Sequence, residues 1–185
     1  MLPSGHIAAG YLVAQGALQL MKPELLPSQY SQLLFLGAFF GFCPDLDMFY
    51  AFFKARSFIL PSKKNNHRSY ITHRPMFWLA TGLVIFALAP NQFWQMFGLL
   101  VWLGTWSHFI LDSFKVGVKW LWPFNSKYYA FLAPGDREES PKTTFFGYWL
   151  SFLNYYPKNN PITFYLEILV LLTAAVVFSI NYLGL

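Results

Sequence analysis

Charge is what this sequence has least of. Only 11% of its 185 residues are charged, against about 25% in an ordinary soluble chain. So few charges cannot cover a soluble surface, and lipid must solvate much of it. With 56% hydrophobic and 21% aromatic residues, the chain reads as one integral membrane domain. The single cysteine, Cys43, excludes an internal disulfide. No basic residue precedes Lys22, so the first apolar run lacks the positive flank of a secretory signal. Acidic residues number eight against thirteen Lys and Arg, for a net charge of +5. That excess lies in two segments between apolar runs, which points to membrane orientation and not to nucleic acid.

What is present is helical patterning. The expected fold is all-α: an integral membrane bundle of about five helices, at about 5–21, 32–53, 76–89, 93–113 and 162–183, with a metal site at the cytoplasmic face. Ser4 stands where it could cap the first helix. His6 and Gly10 share a face, with Ala14 and Ala17 nearby, so a second helix can approach closely. Pro44 has no N–H to give to the residue four back, so the second run should kink or end there. Pro75 suits a first helical turn. The last run, about 22 residues, would be about 33 Å long and span a bilayer. The segment 115–161 is dense in aromatic residues, among them Trp120, Trp122, Tyr128 and Tyr129, and is expected to lie at the interface.

Lys54–Arg74 carries six Lys or Arg and Lys115–Lys158 six more, while the turn at Pro90 has none. The positive-inside rule makes the two basic segments cytoplasmic, in a multi-pass protein whose amino terminus is inside.

The stretch Asn66–Arg74, NHRSYITHR, organises the rest. It holds His67 and His73; His6 and His108 begin or close apolar runs far away, joined by Asp45, Asp47 and Asp112. On the expected topology these seven meet near the inner membrane face. His108 and Asp112, four apart, project from one helical face and can share an ion. Two carboxylates beside hydrocarbon are unfavourable by several kcal/mol unless paired, protonated or metal-bound. Seven ligands exceed the roughly three that a catalytic zinc takes from protein. They suffice for two ions about 3.5–4 Å apart with an aspartate between them. Arg68 offers a planar fork to a phosphate oxygen, and Thr72 could orient a ligand. Plainer roles stand beside these: Asp45 and Asp47 as helix caps, Arg74 as an anchor on lipid phosphate, Cys43 as packing, and Glu167 at the interface.

GHIAAG, PDLD, HRSYITH, HFILD and VGVKWLWPFNSKYY occur in that order over roughly residues 4–130. As a set they resemble the bacterial inner-membrane metal-dependent hydrolases of the LexA-regulated, membrane-bound type. That family is distantly similar to helical zinc-dependent phospholipases C. The central block here has one residue more between its histidines than the family form, and Arg74 replaces a small serine. The resemblance implies metal ligands at His6, Asp45, Asp47, His67, His73, His108 and Asp112. Arg68, Asp45 and Thr72 are then the expected catalytic residues. A divalent cofactor is expected, zinc before manganese or iron. The function expected is hydrolysis of a phosphoester in a lipid or lipid-linked substrate by metal-activated water. The alternative is a non-catalytic membrane protein, a metal carrier or assembly factor, using the same ligands.

Overall fold

The computed structural model describes residues 2–56, 68, 70–114, 117–132 and 145–183. Every regular element among them is helical: α1 (Pro3–Met21), α2 (Pro27–Phe42), α3 (Asp47–Ala55), α4 (Pro75–Leu88), α5 (Gln92–Ser113), α6 (Phe145–Asn159) and α7 (Pro161–Leu183). Short 3-10 turns at Cys43–Leu46 and Ile71–His73 join α2 to α3 and lead into α4.

Proline sets many of these boundaries. Pro3, Pro27 and Pro75 each open a helix, where a missing N–H has no intrahelical partner to lose. Pro44 does the opposite. It ends α2 within one turn, so the helix expected over 32–53 is in fact two helices with a 3-10 turn between them. α1 also starts earlier than expected. Leu2, not Ser4, occupies the capping position, and the Ser4 hydroxyl donates to Glu167 Oε1 at 3.3 Å.

The expectation of about five helices gives way for a second reason. Part of the 115–161 segment is α6. Its aromatic density masks an ordinary periodicity: Phe146, Leu150 and Leu153 form the outward stripe, while Tyr156 is buried.

α1 packs against α2, α5 and α7, and α4 packs along α5. Glycines allow the closest approaches. A Cβ on Gly41 would run into the His6 carbonyl, and one on Gly10 into the Gly37 carbonyl. On α5, a Cβ at Gly104 would fall 2.9 Å from the Phe40 Cβ. The three helices therefore meet backbone to backbone, which small residues permit. Above this seam, Ala14, Leu18, Leu33, Leu34, Met96 and Leu100 form a buried apolar cluster.

The outer faces are apolar. Among the described residues two helical stretches, Pro27–Lys54 and Pro161–Tyr182, are long and apolar enough to cross a membrane. Along α7, Leu169, Leu172, Val176, Phe178 and Ile180 are all exposed, a continuous patch that an aqueous monomer rarely carries.

Candidate metal centre

Five segments deliver the polar side chains. His6 comes from the first turns of α1, and His108 and Asp112 from the end of α5. Asp45 lies in the 3-10 turn after α2, Asp47 opens α3, and His73 ends the turn before α4. His6, His73, His108 and Asp112 are at most 2% exposed. Six of the seven expected ligands are thus brought together. His67 lies outside the described residues.

Two triplets have ligand atoms close enough to share an ion: His6, His108 and Asp112, and Asp45, His73 and His108. His108 belongs to both. Its Nδ1 lies 2.9 Å from the Gly41 carbonyl oxygen. A carbonyl only accepts, so Nδ1 carries the hydrogen and a neutral ring turns the Nε2 lone pair inward. That nitrogen has no hydrogen-bond partner among the described residues. It faces Asp45 Oδ1 at 3.7 Å and Asp112 Oδ2 at 3.8 Å, too far for hydrogen bonds.

Related spacings recur nearby. His6 Nε2 is 3.6 Å from Asp112 Oδ1, and His73 Nε2 is 3.5 Å from Asp45 Oδ1. Ligands about 2.0–2.2 Å from a tetrahedral ion stand roughly 3.4 Å from one another. The His108 Nε2 lone pair, directed at two carboxylate oxygens over this distance, is repelled by them unless a cation lies between. The donor set therefore fits a divalent metal.

The remaining residues hold the ligands in place. Asp47 Oδ2 lies 2.7 Å from His73 Nδ1 and accepts the Thr72 hydroxyl at 2.6 Å. Asp47 thus stands behind His73 and outside both triplets, where it fixes the ring and leaves Nε2 facing Asp45. Burial opposes charge on His73, yet its bonds to Asp45 and Asp47 outweigh that and raise its pKa. Arg68 Nε donates to Asp112 Oδ2 at 2.9 Å, balancing a carboxylate with no exposed side-chain surface. The rings of His6 and His108 stack with centroids 3.8 Å apart.

Three expectations need correction or extension. Arg74 is only 6% exposed and sits over the Trp122 ring at 5.9 Å. It is not turned outward toward lipid phosphate, because the start of α4 folds it under the 117–132 loop. Trp120 likewise points inward, with Nε1 donating to Ser113 Oγ at 2.8 Å. Glu167 does not join the triplets. It accepts from Tyr156 Oη at 2.7 Å, from the Leu2 amide at 3.2 Å and from Ser4 Oγ at 3.3 Å. That ties α7 to the end of α1 that carries His6. Sequence reasoning missed the role of Gly41. The signal available was its position four residues before Asp45, next to a proline break.

A helical protein of membrane composition with a buried histidine–aspartate centre is the class these features define. The model of the YdjM inner membrane protein family matches residues 1–183, and the chain belongs to that family. Membership supports a location in the inner membrane. No curated protein and no solved structure shows a significant match.

Proposed function

We propose that the chain is a membrane-bound, metal-dependent hydrolase, a phosphoesterase acting on a lipid or lipid-linked substrate. The observation that carries this reading is His108 Nε2, a buried, directed lone pair shared by two ligand triplets. A protein that needed a single structural ion would close one set of about four ligands. Here five residues converge; the one Nε2 lone pair of His108 would serve one ion, and the remaining histidine and carboxylate donors would be left for a second, zinc first. The positive-inside rule, applied to the two basic stretches of the sequence, supports a multi-pass topology with the centre toward the cytoplasm.

Divalent ions held there supply Lewis acidity toward water and toward a phosphoryl oxygen. The chain's own residues do the rest. His6, His73, His108, Asp45 and Asp112 would hold the ions, and Asp47 with Thr72 fixes the His73 ring. Asp45, the more exposed of the two triplet carboxylates at 12% of its side chain against 0% for Asp112, takes the proton from water. Arg68, paired with Asp112 at 2.9 Å, supplies positive charge at that edge of the centre.

Elemental mass spectrometry of detergent-purified protein tests this, with wild type beside His108→Ala. Close to two ions per chain, lost in the variant, together with metal-dependent release of phosphate from phospholipid substrates, is the expected result. Metal binding without turnover over a panel of phosphoesters would favour the carrier or assembly role. Metal-free protein that gains no stability from zinc or manganese would overturn both.

A further inference from the structure

α3 has no role so far beyond carrying Asp47 into the centre. Its nine residues divide sharply between two faces. Asp47 and Ala51, four apart, are buried. Phe49 and Phe53, also four apart, turn outward and are 58% and 83% exposed. Tyr50 and Lys54 border them, both exposed, and the Tyr50 ring meets the Tyr70 ring edge-on with centroids 5.4 Å apart. Arg56, also exposed, caps the carboxyl end. The one acidic residue of the helix is the buried Asp47, so the outer face is apolar and cationic.

Length places this face. The apolar stretch Pro27–Lys54 has 28 residues, about 42 Å as helix, against about 30 Å of hydrocarbon in a bilayer. A crossing that starts at Pro27 is complete after roughly 20 residues, near Leu46. The break at Pro44 falls there, and α3 follows it. α3 is thus surplus to the crossing and emerges where the basic stretch Lys54–Arg74 begins. Bare phenylalanine rings are unfavourable in water, and two cations beside them are unfavourable in hydrocarbon. The boundary between the two media suits both groups, with rings among the acyl chains and the cations at lipid phosphate. A protein partner would have to cover Lys54 and Arg56 with carboxylates, whereas an anionic leaflet offers the apolar and the negative layer together.

We propose that α3 is an interfacial anchor: Phe49 and Phe53 enter the acyl boundary of an anionic leaflet while Lys54 and Arg56 engage its headgroup phosphates. Asp47 opens this helix and Asp45 lies in the turn before it. An anchored α3 therefore sets both carboxylates at headgroup depth. The inference stands independently of any turnover at the centre.

Site-directed spin labelling of the full-length protein in nanodiscs tests this. Cys43, the single cysteine, is removed as Cys43→Ala, with Cys43→Ser as a second background. Phe49→Cys or Phe53→Cys then carries the nitroxide, and circular dichroism checks the helical content of each variant. Collisions with oxygen and with a neutral nickel chelate report depth, in phosphatidylcholine alone and with phosphatidylglycerol added. The expected result is oxygen-favoured collision at both positions, about 5–10 Å into the headgroup and acyl boundary. Phosphatidylglycerol should raise the oxygen-to-nickel ratio, and Lys54→Gln with Arg56→Gln should abolish that rise. Labels that favour the chelate put α3 in water and overturn the anchor. Labels near the bilayer centre make α3 a continuation of the crossing and overturn it too. Labels shielded from both reagents reveal a protein partner, with the same consequence. A ratio unchanged by phosphatidylglycerol overturns the assignment to anionic headgroups.

Discussion

Asp47 and His73 meet at 2.7 Å, carboxylate oxygen to Nδ1, and the same oxygen accepts the Thr72 hydroxyl. The pair gives His73 one usable nitrogen and a fixed direction for it. In Asp47→Asn the ring keeps a neighbour but loses the charge and the strict acceptor. Affinity for zinc should fall about 10–100-fold, the usual effect of removing a ligand's supporting carboxylate, while the helical content stays. Competition against a chromophoric chelator measures the first and circular dichroism the second; an unaltered affinity would mean that Asp47 supports only the fold.

Proton competition gives a second expectation. The pKa of His73 is raised because Asp45 and Asp47 outweigh the effect of burial. Without an ion, the ring is protonated at pH values where an ordinary imidazole is already neutral, and a proton on Nε2 occupies the position an ion requires. Loading zinc near neutral pH should therefore release protons, and affinity should climb as pH rises from about 6 to 8. Calorimetry in buffers of different ionisation enthalpy counts the protons. A proton count of zero, with affinity flat across that range, would exclude His73 as a ligand.

Glu167 is a carboxylate in a long apolar helix, α7, and it accepts from Tyr156, Leu2 and Ser4. Glu167→Ala leaves those donors without their acceptor and α7 without its tie to α1. Loss of hydrogen bonds to a charged group implies destabilisation of roughly 1.5–3 kcal/mol. Thermal unfolding in detergent should show it as an earlier transition, and zinc, binding the folded form alone, should raise the transitions of both proteins alike. An unshifted transition would make the tie incidental.

Much of the buried cluster was legible in the sequence because its members are rare and costly residues in an apolar chain. His6, His73, His108, Asp45 and Asp112 could each be picked out from their places at the ends or breaks of hydrophobic runs. The i, i+4 spacing put His108 and Asp112 on one face. Ordering within the set was not legible. That Asp47 stands behind His73 while Asp45 faces inward depends on a 3-10 turn, and turn register is set by packing, not by composition. The carbonyl of Gly41 was marked only by its place near the proline break, since every residue carries such an acceptor. α6 was hidden because a helix with an apolar outer stripe and an aromatic interfacial segment share the same residue types. Arg74 was misplaced for a related reason: a positive charge beside a membrane run can turn outward to headgroups or inward over an indole, and only the fold decides.

The break at Pro44 has a consequence for how this protein can change. A continuous helix would pair the Gly41 carbonyl with the amide of Asp45 and point the two aspartates along different faces of one rod. The interruption instead lets that carbonyl hold His108 and sets Asp45 against the histidines. Mending the helix would be an improvement by every local measure of stability and would dismantle the centre without touching a ligand. Selection for a sturdier membrane segment and selection for the site therefore pull on the same four residues, Cys43 to Leu46, in opposite directions.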